Sequence, residues 1–401
     1  MTGGIDMTTH EPFRLEGVSL PGRPGPVDIA VADGLVSAIE PAAGRSTGVV
    51  LPLMADVHVH LDKAYTIERT NGPIEGLFDA IDLMARDKKH WSAEDIRARA
   101  GRALEAAYRN GVFAMRSHVD WNEAAVPVAW PVLNALREEW RGRVELQLAS
   151  LSPADLLPEA GEGIAARVSR DGGVFGAFFY RNADLPAKVD LAFRLAKANG
   201  LSLDFHVDEG LDVEADGFSE IVAATSRYRM AGKVVCGHAC SLSLRDDETL
   251  ARTLRSAAEA GVALTALPTT NLYLQDRIGG RSPRRRGIAP IKEARAAGMT
   301  VMLGVDNCRD PFYPYGDYDP LAVLRLAAST AHIEPGAWLD AITSLPAAFC
   351  AVPVPAIAVG EAADFIWFEA SDFSDLISRP DASRVVFRAG RMITLPSRRP
   401  V

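Results

Sequence analysis

Apolar and polar positions alternate over residues 13–20, are broken by a Gly/Pro-rich stretch at 22–26, and resume over 27–31. Alternation with period two is the pattern of a strand with one buried face. Asp33-Gly34 then marks a tight hairpin turn, and residues 35–39 continue as the next strand. The far end of the chain has the same texture. Residues 363–369 and 384–387 are strand-like, and Ala389-Gly390-Arg391 turns into 392–394. Between these ends the pattern changes. Short apolar runs at 57–60, 112–118, 145–151, 174–180, 202–207, 233–238, 262–267 and 300–306 are separated by amphipathic segments of helical period, among them 93–110, 187–198, 248–260 and 291–297. Four helices run into a glycine (Gly111, Gly200, Gly261, Gly298) that leads into the next strand, where a left-handed residue closes a helix. Eight strand–helix repeats predict an α/β fold built on a closed parallel (β/α)8 TIM barrel. An open doubly wound sheet is the alternative, but no G-x-G-x-x-G follows the first strand.

Length supports that division, since a barrel takes roughly 250 residues and the chain has 401. The barrel is expected over 55–344. Residues 1–54 and 345–401, the latter opening with a helix, are expected to pair into one small β-sandwich domain, because chain ends often lie close together. Forty-three basic against 52 acidic residues leave a net charge of −9, which argues against a nucleic-acid partner. No run of about 18 apolar residues predicts a membrane span. Cys236, Cys240, Cys308 and Cys350 are too few and too scattered for a disulfide framework or a structural zinc site, and read as reduced thiols of a cytoplasmic protein. The start at Met1 has no signal-peptide character, and Met7 is an alternative start.

Candidate chemistry gathers where the predicted strands end, the rim on which barrel enzymes carry their active sites. The first strand ends in His58-Val59-His60, and alternation puts both imidazoles on one face. The fifth ends in His206, the sixth in His238 and the eighth in Asp306. Imidazole and carboxylate together suit Zn2+ or Fe2+ with a position left for water. A divalent ion lowers the pKa of such a water from ~16 towards 7. Glu209, three residues beyond His206, stands in the loop above and is placed to move its proton.

Several segments resemble those of bacterial cytosine deaminases in the amidohydrolase superfamily: His58-Val59-His60-Leu61-Asp62, Arg116-Ser117-His118-Val119-Asp120 and His206-Val207-Asp208-Glu209. Asn271-Leu272-Tyr273-Leu274-Gln275, Arg284-Arg285-Arg286-Gly287-Ile288 and 310–316 follow in the same order. The resemblance implies metal ligation by His58, His60, His206 and Asp306, a proton-shuttling Glu209, and a His238 that orients the attacking water with Asp306. Binuclear relatives carry a carboxylated lysine at the end of the fourth strand. Here that strand reads Gly176-Ala177-Phe178-Phe179-Tyr180, so one divalent ion per chain is implied. Oligomers are common in the family, which makes a homo-oligomer a further expectation.

The departures fall on the substrate. Pro153 stands where the family has its cytosine-reading glutamine, Asn307 replaces an aspartate, and Phe312 replaces a tryptophan. Proline offers no side-chain donor or acceptor, so cytosine itself is not the expected substrate. The His-Leu-Asp-Lys run ending at Lys63 is similar to that of N-alkylammelide hydrolases, which displace an amine from a triazine. The expected reaction is hydrolytic deamination of a small nitrogen heterocycle such as an aminopyrimidine, aminopurine or triazine. A cyclic-amide hydrolase of the same fold and a non-catalytic binding barrel are the rivals.

Bland readings stand beside these. His10, His90 and His332 are read as structural. His118 is assigned to the substrate site, with a hydrogen-bonding role behind the metal as the alternative. Asn271 and Gln275 either read a ring edge or serve turn chemistry. Phe312, Tyr313 and Tyr315 form an aromatic wall or pack in the core. Arg281, Arg284, Arg285 and Arg286 are read as a solvated or salt-bridged rim.

Overall fold

The computed structural model describes residues 11–70 and 74–393. His10, both candidate start methionines and Thr394 lie outside the described residues. The chain divides into two compact units, one of Met1–Met54, Arg109–Gly111 and Pro353–Val401, the other of Ala55–Tyr108 and Val112–Val352.

In the first unit, strands Phe13–Ser19, Val27–Ala32, Leu35–Pro41 and Gly48–Pro52 join Phe365–Phe368, Arg384–Arg388 and Arg391–Met392 in one seven-stranded sheet. The C-terminal strands enter through Phe365–Phe368, which runs antiparallel to Gly48–Pro52. The strands pair because their apolar residues fall on one face: Val27, Ile29 and Val31 are buried while Asp28, Ala30 and Ala32 are not fully so. Asp33 (φ 52°) and Gly34 (φ 78°) make the hairpin, both in the left-handed region that a type I′ turn demands. The sheet curls until Leu35 bridges Ala362, closing around Val18, Ile29, Val36, Val50, Phe365 and Phe387.

The second unit is the barrel. Its strands, labelled β1 to β8, are Met54–Val59, Val112–Asp120, Glu145–Pro153, Ala177–Phe179, Leu203–Val207, Val234–His238, Val262–Ala266 and Val301–Leu303, each hydrogen-bonded to the next in that order. A parallel bridge from Val59 to Asp306 joins the eighth strand to the first. β1, β5, β6 and β7 are buried along their whole length, as strands covered on both faces must be. Helices follow the strands and end by ordinary chemistry. Asp246 accepts from Thr249 N at 2.9 Å to start Asp247–Ala260, and Gly261 (φ 72°) ends it. β4 and β8 are shorter than the apolar runs containing them. Gly176 lies so close to its neighbours that a Cβ there would stand 2.2 Å from Ser150 O and 2.5 Å from Asp204 O. The preceding residues accordingly pair only through single bridges, Ala149 to Val174 and Phe175 to Leu203.

Three further features position the site. The helix Leu77–Asp87, which follows β1, turns Leu77, Ile81, Met84 and Ala85 over the C-terminal mouth of the barrel. The loop after β5 is anchored by Asp208, whose carboxylate accepts from Gly217 N (3.2 Å) and Phe218 N (2.8 Å) at the start of the helix Gly217–Tyr228. The third is the β1–β8 seam. Asp56 accepts from His58 N and from Val305 N, both at 2.9 Å, and Asp306 N donates to His58 O at 2.9 Å.

Candidate metal centre

Strand ends from opposite sides of the barrel bring three imidazoles and a carboxylate together. His206 Nε2 stands 3.1 Å from His58 Nε2 and 3.2 Å from His60 Nε2. Asp306 Oδ1 lies 3.2 Å from His60 Nε2 and 3.7 Å from His58 Nε2. All four side chains are at most 4% exposed. Three aromatic nitrogens facing one another at such distances cannot satisfy each other by hydrogen bonding alone. Neither oxygen of Asp306 has a hydrogen-bond partner among the described residues. A transition-metal ion at ~2.0–2.1 Å from each donor would place neighbouring ligand atoms about 2.9–3.4 Å apart, so most of this set fits such an ion as it stands.

The electrostatics agree. Burial, then the neighbouring imidazoles, drives His58 and His206 well below the ordinary histidine range, which leaves them neutral with a lone pair to give. Burial alone would raise Asp306, but His60, His238 and Thr270 outweigh it and hold the carboxyl below its usual value. Asp306 (φ 66°) and His238 (φ 68°) are both left-handed, a conformation a non-glycine residue keeps only where its surroundings over-determine it.

Glu209 and His238 complete the polar end. Glu209 Oε1 lies 3.6 Å from His238 Nδ1, and Asn271 Nδ2 lies 2.9 Å from the same nitrogen. With Asn271 donating to Nδ1, the ring proton of His238 sits on Nε2, a buried atom with no partner among the described residues. Burial, followed by repulsion from Asp306, raises the Glu209 carboxyl well above the usual carboxylate range. Burial pulls His238 down to about 4. The arrangement sets a buried carboxyl beside a neutral imidazole, a pair whose chemistry is proton transfer.

Over this floor lies a cavity of about 720 Å³, counting its open mouth. His60, His206, Glu209, His238 and Asp306 line its base, and Leu77, Ile81, Met84, Leu151, Phe178 and Phe312 give it apolar walls. Of the residues expected on a substrate, Pro153, Asn307 and Phe312 do line it. Asn307 is nonetheless engaged, donating to Asp310 Oδ2 at 2.7 Å, while Asp310 Oδ1 accepts from Phe312 N at 2.9 Å and so sets the loop that carries the Phe312 ring.

Three of those residues stand elsewhere. Asn271 holds His238, and Gln275 donates to the carbonyl of Glu209, so both amides face the catalytic groups rather than the cavity. His118 is fully buried and absent from the cavity wall. Its ring packs 4.1 Å from that of His58, and its Nε2 lies 3.7 Å from Asp204 Oδ2. His118 can also offer a nitrogen to a candidate metal-binding triad with His58 and His206. The aromatic wall is likewise divided, because Tyr313 and Tyr315 pack edge-on with Tyr273 rather than lining the cavity. The arginine loop is a salt-bridged rim: Arg281 pairs with Asp276 at 2.7 Å, and Arg286 donates to Thr330 O at 2.6 Å.

Two buried carboxylates escaped the sequence reading although its own rule points to them. Asp56 and Asp204 each stand two residues before a site histidine, so alternation turns them into the same interior. Asp56 ties β1 to β8. Asp204 is bound by Arg116, whose Nε also donates to Gln147 Oε1 at 2.7 Å. Gly237 was missed as well. A Cβ there would stand 2.7 Å from His58 Cε1 and 3.0 Å from His58 Nδ1. Gly237→Ala is therefore expected to push the His58 ring off its ligand position and weaken metal retention by roughly tenfold or more. Metal content after dialysis, read beside an unchanged melting temperature, checks this; full retention would show that the ring yields without loss.

Comparisons with known proteins point the same way. Residues 173–394 match the Amidohydrolase family. The chain is 39% identical over 381 residues to the pterin deaminase of Rhizobium rhizogenes (strain K84 / ATCC BAA-868), covering 91% of this chain and 87% of that protein. The crystal structure of 5-methylcytosine deaminase from Klebsiella pneumoniae with phosphonocytosine superposes with a TM-score of 0.83 at 23% identity, over 97% of this chain and 100% of that one. N-isopropylammelide isopropylaminohydrolase from Burkholderia multivorans ATCC 17616 does so with a TM-score of 0.77 at 22% identity, over 95% and 98%. A relative matched along nine-tenths of the chain, with a cluster of histidines and an aspartate able to hold a metal at the mouth of the expected barrel, makes the assignment direct: this chain belongs to the amidohydrolase family and is a hydrolase acting on carbon–nitrogen bonds.

Proposed function

We propose that this protein removes the exocyclic amine of a fused aminopyrimidine, a pterin or a close analogue, by hydrolysis with one divalent ion per chain. The observation that carries the reading is the clustering of His58, His60, His206 and Asp306, of which the last three line an apolar-walled cavity together with Glu209 and His238. Likeness to a pterin deaminase supplies the bicyclic substrate class. Phe178 and Phe312 supply faces for a planar ring, and Pro153 leaves room where a side-chain reader would stand. A single ion is supported by the end of β4, where Phe178 and Phe179 stand and no lysine does. Both candidate ligand groups also share His58. Nitrogen and oxygen donors favour Zn2+ or Fe2+.

The ion, held by those four side chains, supplies a Lewis acid that ionises water at neutral pH. The residues do the rest. Glu209 takes a proton from the water and delivers it to the ring nitrogen beside the reacting carbon. His238, fixed by Asn271, orients the water oxygen towards that carbon. A C–O bond forms and the C–N bond breaks. The second water proton passes through Asp306 or Glu209 to the departing amine, and ammonia leaves with an oxo group in its place. The roof residues Leu77, Ile81 and Met84 exclude bulk water from the ring.

Ammonia release from the metal-loaded protein should be measured on pterin, cytosine, 5-methylcytosine and an N-alkylammelide. Pterin is expected to exceed the single-ring compounds in kcat/KM by at least about a hundredfold. Release from none of them would refute the reading.

A further inference from the structure

Beyond the metal ligands and proton carriers, the cavity wall holds a charged group that the chemistry above does not use. Asp120 closes β2, with a side chain only 13% exposed, and it bears two lysines. Its Oδ1 accepts from Lys63 Nζ at 2.6 Å and its Oδ2 faces Lys88 Nζ at 2.8 Å. All three side chains line the same cavity as Glu209 and Asp306. Lys63 is 2% exposed and also lies 3.2 Å from His60 Nδ1, so the carboxylate is one ammonium away from the metal centre. Lys88 arrives from the opposite direction, at the end of the roof helix, with its side chain 24% exposed. Leu151, Phe178 and Phe312 add apolar wall to the same cavity, the Phe312 ring lying 5.7 Å from Lys63 Nζ.

We infer that Asp120 and Lys88 form the specificity subsite of this cavity and read the lactam edge of the substrate, an N–H beside a C=O, next to the amine that is removed. The inference rests on the deaminase reading above and gives it a tautomer. A ring N–H donates to the Asp120 carboxylate, and the adjoining oxo group accepts from the Lys88 ammonium. Lys63 braces Asp120 from below and is a positioning residue. The same edge in a 4-amino analogue presents the reverse pattern, a ring nitrogen lone pair beside an NH2. It would set that lone pair against the carboxylate and amine hydrogens against the ammonium. Both contacts change from attraction to repulsion, and buried polar groups left unpaired discriminate strongly. The two side chains come from the end of β2 and from the end of the roof helix.

The test compares 2-amino-4-oxopteridine with 2,4-diaminopteridine on the metal-loaded enzyme, its Lys88→Met variant and its Lys88→Arg variant. Lys88 is partly exposed and sits on a short turn, so these changes spare the core. The native enzyme is expected to favour the oxo compound by about a thousandfold or more in kcat/KM. Lys88→Met should lower kcat/KM for the oxo compound by roughly 10- to 100-fold and raise it for the diamino compound, whose amine the ammonium repels; Lys88→Arg should restore much of the loss on the oxo compound. Equal use of the two pteridines by the native enzyme, or an equal loss on both in Lys88→Met, would overturn the inference while the deaminase reading stands. No ammonia from either pteridine would overturn both.

Discussion

Glu209→Gln is expected to lower kcat by about a thousandfold while the protein keeps its metal, because general acid–base catalysis of this kind is worth roughly 10²- to 10⁴-fold. Glutamine keeps the shape and one acceptor oxygen of the side chain but cannot take a proton and give it back. The neighbours of Glu209 among the described residues are engaged elsewhere for the first proton transfer. His238 is held by Asn271, and Asp306 points into the ligand set. The main chain of Glu209 is fixed independently of its carboxyl, through Gln275 on its carbonyl and Asp208 on the following helix, so the fold should survive the change. KM is expected to move little, since the loss falls on the transition state. Stopped-time ammonia assays with metal analysis of the same sample read both quantities. A variant that kept a tenth of native kcat would remove Glu209 from the proton path.

The second large effect concerns the ion. His206→Ala removes the donor nearest to both other imidazoles, at 3.1 and 3.2 Å. The remaining three donors would then hold a cation with one face open, and the metal content after dialysis should fall from near one per chain to a small fraction. Turnover should drop by on the order of 10⁴-fold or more, because water near neutrality is otherwise almost wholly un-ionised. The variant also leaves a void between His58 and His118, so its folding must be confirmed by circular dichroism. A folded, metal-free variant with activity would contradict the site assigned here.

Much of this site was legible in the chain before any coordinates. Period-two alternation placed His58 and His60 on one face, and the glycine-terminated helices marked where each strand begins. The apolar runs then fixed which residues, His206, His238 and Asp306, stand at strand ends. Those inferences succeed because backbone periodicity decides them. The surroundings of Asn271 and Gln275 were not legible, for the complementary reason. They lie on the short helix Pro268–Leu274 and just after it, and what an amide meets there depends on how the loop folds back. Here it folds onto His238 and the Glu209 carbonyl. Lys88 was invisible for the same cause, since only the packing of the roof helix brings its ammonium to Asp120. Asp56 and Asp204 obey the same alternation, each two residues before a site histidine, and were legible in it.

Titration of the metal-stripped protein tests the central claim most directly. Zn2+ or Fe2+ would be added in small steps to chelator-treated, desalted protein, and ammonia release from pterin followed at each step. The account predicts negligible rate without metal and a linear rise that levels off at about one ion per chain, since one set of ligands ionises one water. Full activity in the stripped protein, or a rise that continues to two ions per chain, would contradict it.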